Sequence, residues 1–418
     1  MPEITVEGGH RLRGTVGVCG AKNAALKEMV AVILAPGRHE LTNVPQIDDV
    51  SLMGDVLTHL GCHVRRENGS LWLVTPDQLT PEAPLELVRR MRASFVVLGP
   101  LLARCGEARV ALPGGDDLGA RPIDMHIEGL ERMGASFRLV HGVLEGEVEG
   151  GLVGAEIELS FPSVGATENL MLAAVLAKGE TSIINAAREP EITDLAEHLV
   201  SMGAAVTGAG TSTIHVEGTS DLSPSRHRVI PDRVEAGTFA VAAAITGGDV
   251  TITGCIPTHL RMELAKLEDG GCEVERGDGW LRVHGPQRPK PVDFATLPYP
   301  GFHTDMHPQM VALLTIAEGT SIVTENLYDG RFRYAGELAR MGADIRTESQ
   351  HAVIRGVPEL SGCPVLAPDI RAGAALVLAG LRAEGVTVVG DAHHIDRGYE
   401  DLVGKLRNLG ATVDRRDL

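Results

Sequence analysis

The residues best suited to chemistry are cations and carboxylates standing where helices are expected to begin. Lys22 and Asn23 open the apolar run GAKNAAL, Arg92 stands in RRMRASF, and LPGGDDLGARPIDMH carries Asp116, Asp117 and Arg121 just ahead of Pro122, Ile123, Asp124 and Met125. Ser163 and Val164 follow Phe161 in FPSVGATEN, and Asp305 lies in HTDMHPQM. Leu327 and Arg331 lie in ENLYDGRF, Asp369 and Arg371 in PDIRAGAAL, and Asp396 and Arg397 in HHIDRGY. A helix start offers unpaired N–H groups and the positive end of a dipole, so lysine and arginine placed there make a seat for an anion. A carboxylate beside such a seat adds a group that can take or give a proton. Taken singly, an arginine at a helix end or a Gly-Asp turn is ordinary surface structure. Their recurrence at fixed positions along the chain is not.

That recurrence belongs to a repeat. Leu-x-x-x-Gly leading into a short strand-like tail occurs as LTHLGCHV, LERMGASF, LVSMGAAV, LEDGGCEV, LARMGADI and LRNLGATV, with Gly61, Gly134, Gly203, Gly271, Gly342 and Gly410 spaced 73, 69, 68, 71 and 68 residues apart. In phase with these run glycine-led alternating stretches such as GETSIINAA and GTSIVTENL, each preceded by an Ala/Leu-rich segment such as TENLMLAAVLAKG or GTFAVAAAITGG. Each unit reads as loop, helix, strand, loop, helix, strand over roughly 70 residues. The Ala-rich helices are apolar nearly all round, which predicts that they are buried inside and the strands lie outside. Six units suggest two lobes of three, residues 22–229 and residues 1–21 plus 230–418, with an active-site cleft between them and the N-terminal segment added to the second lobe as an extra strand.

Bulk composition narrows the function. At 418 residues and 44% hydrophobic the chain is globular and long enough for about two or three domains. A formal net charge of −18 argues against a nucleic-acid or anionic-membrane surface, so any anion must be held by a local cluster. No apolar run approaches a membrane span and no signal peptide opens the chain, which predicts a cytoplasmic protein without membrane insertion. Six scattered cysteines without a CxxC pair predict reduced, mostly buried thiols. No GxGxxG follows a strand, and His303 with His307, or His393 and His394 near Asp396, lack a third ligand at motif spacing; no cofactor and no metal are expected.

The helix-inside repeat resembles the inside-out α/β barrel of the enolpyruvyl transferases. GAKNAAL, LPGGxxxGARPIDMH, FPSVGATEN, NAAREPEI, PDRxEAGTF, TDMHPQM, ENLYDGRF and HHIDRGY, in order along nearly the whole chain, look like the branch of that family whose acceptor is UDP-N-acetylglucosamine. The resemblance implies a two-lobed α/β fold of six repeats. It also implies transfer of the enolpyruvyl group of phosphoenolpyruvate to the 3′-hydroxyl of the sugar nucleotide with release of phosphate, the first committed step toward peptidoglycan. It gives Lys22, Arg121 and Arg397 the phosphoenolpyruvate clamp, with Asn23, Arg331 and Arg371 in support, and makes Asp305 the base for the sugar hydroxyl. Arg92, Arg121, Pro122, Ile123, Asp124, Met125, Phe161, Ser163, Val164, Asp305 and Leu327 then stand at the sugar-nucleotide positions. The catalytic set is Asp116, Asp305, Lys22 and Arg397.

Two departures matter. Many family members carry cysteine directly after Pro-Gly-Gly, where this chain has Asp116, so the expected proton donor is a carboxyl whose reference pKa near ~3.9 replaces a thiol's near ~8.5. To stay protonated, Asp116 must be pushed up by burial or by Asp117 against the pull of Arg121 and Lys22. Without a cysteine there, the epoxide fosfomycin should not alkylate the loop. Phe161-Pro162 stands where some members have lysine and valine, which leaves Ser163 and Val164 to meet the nucleotide through the backbone. A different acceptor, a uridine nucleotide or shikimate 3-phosphate, remains the alternative. A ligand-sensing paralogue would be expected to have lost Lys22, Asp305 or Arg397.

Overall fold

The computed structural model describes residues 2–116, 118–119 and 122–417. Its strands form six separate four-stranded sheets, all with one internal plan. In one, Glu82–Ala83 runs parallel to Glu107–Ala111; that strand is antiparallel to Val143–Glu147, which is antiparallel to Ser136–Val140. The plan holds two strands per repeat that the helix-strand reading of the sequence omits. One is an edge strand, which in five of the six sheets has only two or three residues, as at Glu82–Ala83 and Phe294–Ala295, too short to show alternation. The other is the return strand of a hairpin, whose two-residue turns Asn68-Gly69 and His141-Gly142 have positive φ at both positions, the geometry that lets a tight turn follow the twist of its strands. Among the described residues no sheet closes on itself: the inside-out barrel of the sequence reading is an arrangement of separate sheets.

The chain divides into two compact units: Gly20–Asp116 with Pro122–Ile230, and Met1–Cys19 with Pro231–Leu418, to which Leu118 and Gly119 also group. Each has its own apolar core. In the 231–418 unit the helices Arg233–Thr246, His307–Leu314 and Ile370–Arg382 pack against one another. Every residue of Arg233–Thr246 is buried, as its alanine-rich, unpatterned sequence requires. Aspartates start two of these helices: Asp232 Oδ1 accepts from Val234 N and Glu235 N at 2.8 and 3.0 Å, and Asp369 Oδ1 from Arg371 N and Ala372 N at the same distances. Such caps contribute about 1 kcal/mol each.

In the 20–230 unit, Leu98–Cys105 packs on Val164–Ala174 and Lys22–Ala31 on Pro190–Ser201. The first contact is close enough that Gly99 N donates to Asn169 Oδ1 at 2.8 Å, and a Cβ on Gly99 would meet that oxygen at 2.5 Å. Small residues inside the helices are what bring the backbones so near.

The N-terminal segment supplies two strands, not one extra strand. Glu3–Glu7 lies between Val386–Gly390 and Thr412–Arg416, antiparallel to both, filling the place a hairpin return strand takes in the other sheets. Arg13–Gly17 runs parallel to Asp249–Thr253 as the edge strand of another sheet. Ile4 and Val6 are buried while their neighbours are less so, the alternation of a strand covered on one face.

Candidate active site

In the 20–230 unit the candidate residues stand at helix starts. Lys22 is the first residue of Lys22–Ala31 and pairs with Asp49, the second residue of Asp48–His59, at 2.7 Å with both side chains nearly buried. Asn23 is half-buried, and its carbonyl accepts from Lys27 Nζ at 3.0 Å. Lys27 Nζ also lies 3.4 Å from Glu168 Oε2. Burial raises the Glu168 carboxyl to about 7 even though Lys27 pulls it down. Arg92 opens a 3-10 turn and donates to the carbonyl of Pro122 at 3.1 Å. Ile123 precedes the helix Asp124–Arg132, which Asp124 and Met125 begin. Ser163 caps Val164–Ala174 by accepting from Ala166 N at 3.3 Å, and its own N–H donates to the carbonyl of exposed Phe161 at 2.7 Å.

Asp116 is half-buried at the end of a glycine-built turn. Gly115 N donates to the Arg89 carbonyl at 3.1 Å, and a Cβ on Gly114 would come within 1.9 Å of that same oxygen. Pro-Gly-Gly therefore lets the turn press directly on the 89–92 backbone. Arg121, assigned to both substrates by the resemblance, and Asp117, the expected partner of Asp116, lie outside the described residues.

In the 231–418 unit three candidates meet. Asp305 Oδ1 accepts from Arg331 Nη2 at 3.3 Å and its Oδ2 from Arg371 Nε at 3.1 Å; both arginine side chains are almost wholly buried, whereas the carboxylate is 22% exposed. Arg331 Nη2 also donates to the Thr304 carbonyl at 2.9 Å, which locks the fork. Burial opposes the charge on each arginine, yet Asp369, Asp305 and Glu325 outweigh it for Arg331, and Tyr399 with Asp305 and Asp232 for Arg371, so both pKa values rise. The result is a carboxylate oriented by two buried guanidinium groups. Leu327 follows a carboxylate that sequence reasoning did not single out. Buried Glu325 accepts from Leu327 N, Tyr328 N and Thr296 Oγ1 at 2.7, 3.1 and 2.8 Å through Oε1, and from Thr304 Oγ1 at 2.9 Å through Oε2. It ties the Leu327 turn to the residue before Asp305. Arg397 caps the short helix His393–Asp396, and Asp396 pairs with Arg415 at 2.6 Å. Leu118 O accepts from Gly330 N at 3.0 Å, beside Arg331.

Two of the histidines weighed as metal ligands hydrogen-bond within the protein. His303 Nδ1 accepts from Asp305 N at 3.1 Å, and buried His307 Nδ1 lies 3.0 Å from the Tyr334 hydroxyl. Among the described residues one group has ligand spacing: Glu28, Asp194 and His227, with ligand atoms within 4.8 Å of one another. His227 Nε2 is 3.0 Å from Asp194 Oδ1 and 3.5 Å from Glu28 Oε1, and Asp194 Oδ2 accepts from Ile230 N at 3.0 Å. Burial works against the His227 charge, but the two carboxyls outweigh it and raise its pKa to about 10, while burial drives Glu28 up toward its neutral form. Burial pushes up the thiols of Cys19, Cys62, Cys105, Cys255 and Cys272, those of Cys19 and Cys272 to about 12.

Comparison with known proteins identifies the family. A family model described as EPSP synthase (3-phosphoshikimate 1-carboxyvinyltransferase) matches residues 6–406. UDP-N-acetylglucosamine 1-carboxyvinyltransferase of Corynebacterium jeikeium is 53% identical over 99% of this chain and 98% of its own; that of Mycolicibacterium paratuberculosis is 52% identical over 99% of both. Among solved structures, the enolpyruvyl transferase NikO from Streptomyces tendae superposes with a TM-score of 0.89 at 26% identity, covering 99% of this chain and 98% of its own. An EPSP synthase from Acinetobacter baumannii gives 0.74 at 20% identity over the full length of both, a likeness of fold. The chain belongs to the EPSP synthase family of enolpyruvyl transferases, alongside its UDP-N-acetylglucosamine 1-carboxyvinyltransferases.

Proposed function

We propose that this chain transfers the enolpyruvyl group of phosphoenolpyruvate to the 3′-hydroxyl of UDP-N-acetylglucosamine, releasing phosphate, as a cytoplasmic step of peptidoglycan synthesis and so of cell shape and division. The observation that carries the reading is the carboxylate of Asp305, bound by Arg331 Nη2 and Arg371 Nε and 22% exposed. It is a prepared base for a sugar hydroxyl. The reaction needs such a base, an acid for C3 of the enol, and cations for phosphate and carboxylate.

In the proposed sequence Asp116 delivers a proton to C3 while the 3′-oxygen bonds to C2 and its proton passes to Asp305. The tetrahedral ketal then returns a proton from C3 to the Asp116 carboxylate as the C2–O bond to phosphate breaks, which restores the double bond, and the departing phosphate carries away the proton held by Asp305. Lys22, Arg121 and Arg397 hold the phosphate and carboxylate, with Asn23, Arg331 and Arg371 in support. Arg92, Pro122 to Met125, Phe161, Ser163, Val164 and Leu327 receive the sugar nucleotide. No metal or cofactor enters the reading.

Phosphate release from phosphoenolpyruvate, measured with UDP-N-acetylglucosamine, a simple uridine nucleotide and shikimate 3-phosphate in turn, tests the assignment. Turnover is expected with the first alone. Release with shikimate 3-phosphate at a comparable kcat/KM would overturn the acceptor.

A further inference from the structure

Behind the Asp305 pair lies a buried polar junction that joins all three inner helices of the 231–418 unit. Thr238 Oγ1, on Arg233–Thr246, is 2.9 Å from the Tyr399 hydroxyl. Gln309 Nε2, on His307–Leu314, donates to that hydroxyl at 3.1 Å and to Thr238 Oγ1 at 3.2 Å. Arg371, on Ile370–Arg382, lays its guanidinium carbon 5.2 Å from the centre of the Tyr399 ring while its Nε holds Asp305. Tyr399 is 3% exposed, and it ends the turn that begins at Arg397. That turn is packed hard onto the third helix: a Cβ on Gly398 would meet Ile370 Cγ2 at 2.4 Å and Arg371 Nη1 at 3.5 Å.

One side chain therefore touches the support of the proposed base and anchors the turn of a proposed phosphate ligand. We infer that Tyr399 is a positioning residue, whose hydroxyl, fixed by Thr238 and Gln309, sets the place of Arg371 against Asp305 and of the Arg397 turn against the helix beneath it. A phenylalanine would fill the same space, so packing alone does not explain the hydroxyl. Burial keeps that hydroxyl protonated, against a smaller opposing pull from Arg371, so it serves as a neutral hydrogen-bonding group.

The inference rests on the proposed roles of Asp305 and Arg397, and its test separates the two. Asp305 is faced by Arg331 and Arg371, with His303 bound to its backbone N–H; Asp369 and Glu325 act on Arg331, and Asp232 on Arg371. If the Arg371 guanidinium is no longer held in place, Asp305 loses part of its positive surroundings and gains affinity for a proton. In the full-length enzyme, Tyr399→Phe is expected to lower kcat about tenfold and to move the acid limb of the kcat/KM profile upward by about half a pH unit or more. The melting temperature should stay within about 4 °C of the parent, as loss of one hydrogen bond allows. Thr238→Val, which keeps the tyrosine but removes a partner of its hydroxyl, is expected to shift the limb in the same direction and serves in its place if Tyr399→Phe fails to fold. An unmoved acid limb with kcat within twofold of the parent in the folded variant would overturn the inference. Asp305→Asn with full turnover would instead bring down the reading on which it rests, and the inference with it.

Discussion

At the scale of single residues Asp116, where the family resemblance implies a cysteine, has the sharpest consequence. The half-buried turn carries a carboxyl, and burial raises the pKa of the Cys19, Cys62, Cys105, Cys255 and Cys272 thiols, which favours their protonated form. Fosfomycin is therefore expected to leave the intact mass unchanged and to inhibit only weakly, whereas Asp116→Cys should acquire a single adduct. Removing the acid is expected to cost more than removing its neighbour. Asp116→Asn should lower kcat by about 10²-fold to 10⁴-fold, the range of a general acid, and Asp117→Asn by less than about tenfold; equal losses in steady-state assays would name the wrong acid. Asp305, Arg331 and Arg371 were legible in the sequence because each recurs at a loop position of the repeat. Glu325 and Lys27 were not: Glu325 organises Thr296 and Thr304, and Lys27 meets Glu168, partners that no local spacing connects.

At the scale of elements the helix Lys22–Ala31 matters most in the 20–230 unit, because it presents Lys22 and Asn23 and sets Lys27 against the buried carboxyl of Glu168. Glu168 on Val164–Ala174 ionises only near pH 7 in the folded protein, with Lys27, Glu189 and Glu191 around it, and at roughly 4.3 when unfolded. Its folded-state pKa is raised, so between those values the folded chain holds a proton that the unfolded chain has lost, and stability falls as pH rises through the window. The cost reaches about 3 kcal/mol by pH 8. Glu168→Gln removes this titration. The melting temperature of the variant relative to the parent is expected to climb between pH 5 and pH 8, and parallel curves would refute the assignment. A second element test lies in the Pro-Gly-Gly turn. Gly114→Ala drives a methyl against the Arg89 carbonyl, so turnover should fall by at least tenfold while the melting temperature changes little, since the turn lies outside the core. The inner helices were readable because alanine-rich segments without an apolar face can only be buried. The short edge strands were not, because two or three residues carry no periodicity and take their conformation from the strand beside them.

At the scale of the whole chain the two units repeat one plan with one difference in connectivity. In the 20–230 unit every hairpin return strand follows directly on its partner, as Thr213–Glu217 follows Ala205–Thr207. In the 231–418 unit one return strand, Glu3–Glu7, arrives from the opposite end of the sequence and pairs with Thr412–Arg416 across more than four hundred residues. Such a non-local pairing forms only after a long loop closes, so it carries a larger entropic penalty than a hairpin does. The six-fold glycine spacing revealed the repeat, but that pairing has no local signature, and the N-terminal segment was read as one strand where there are two. Because each unit has a core of its own, damage to a central strand should stay within its unit. Val6→Asp and Val216→Asp each place a charge at a wholly buried position of a return strand, at a cost of several kcal/mol. Limited proteolysis read by mass spectrometry is expected to digest residues 231–418 and spare the 20–230 unit in the first variant, and to do the reverse in the second. Loss of both units from either lesion would show that the two fold as one.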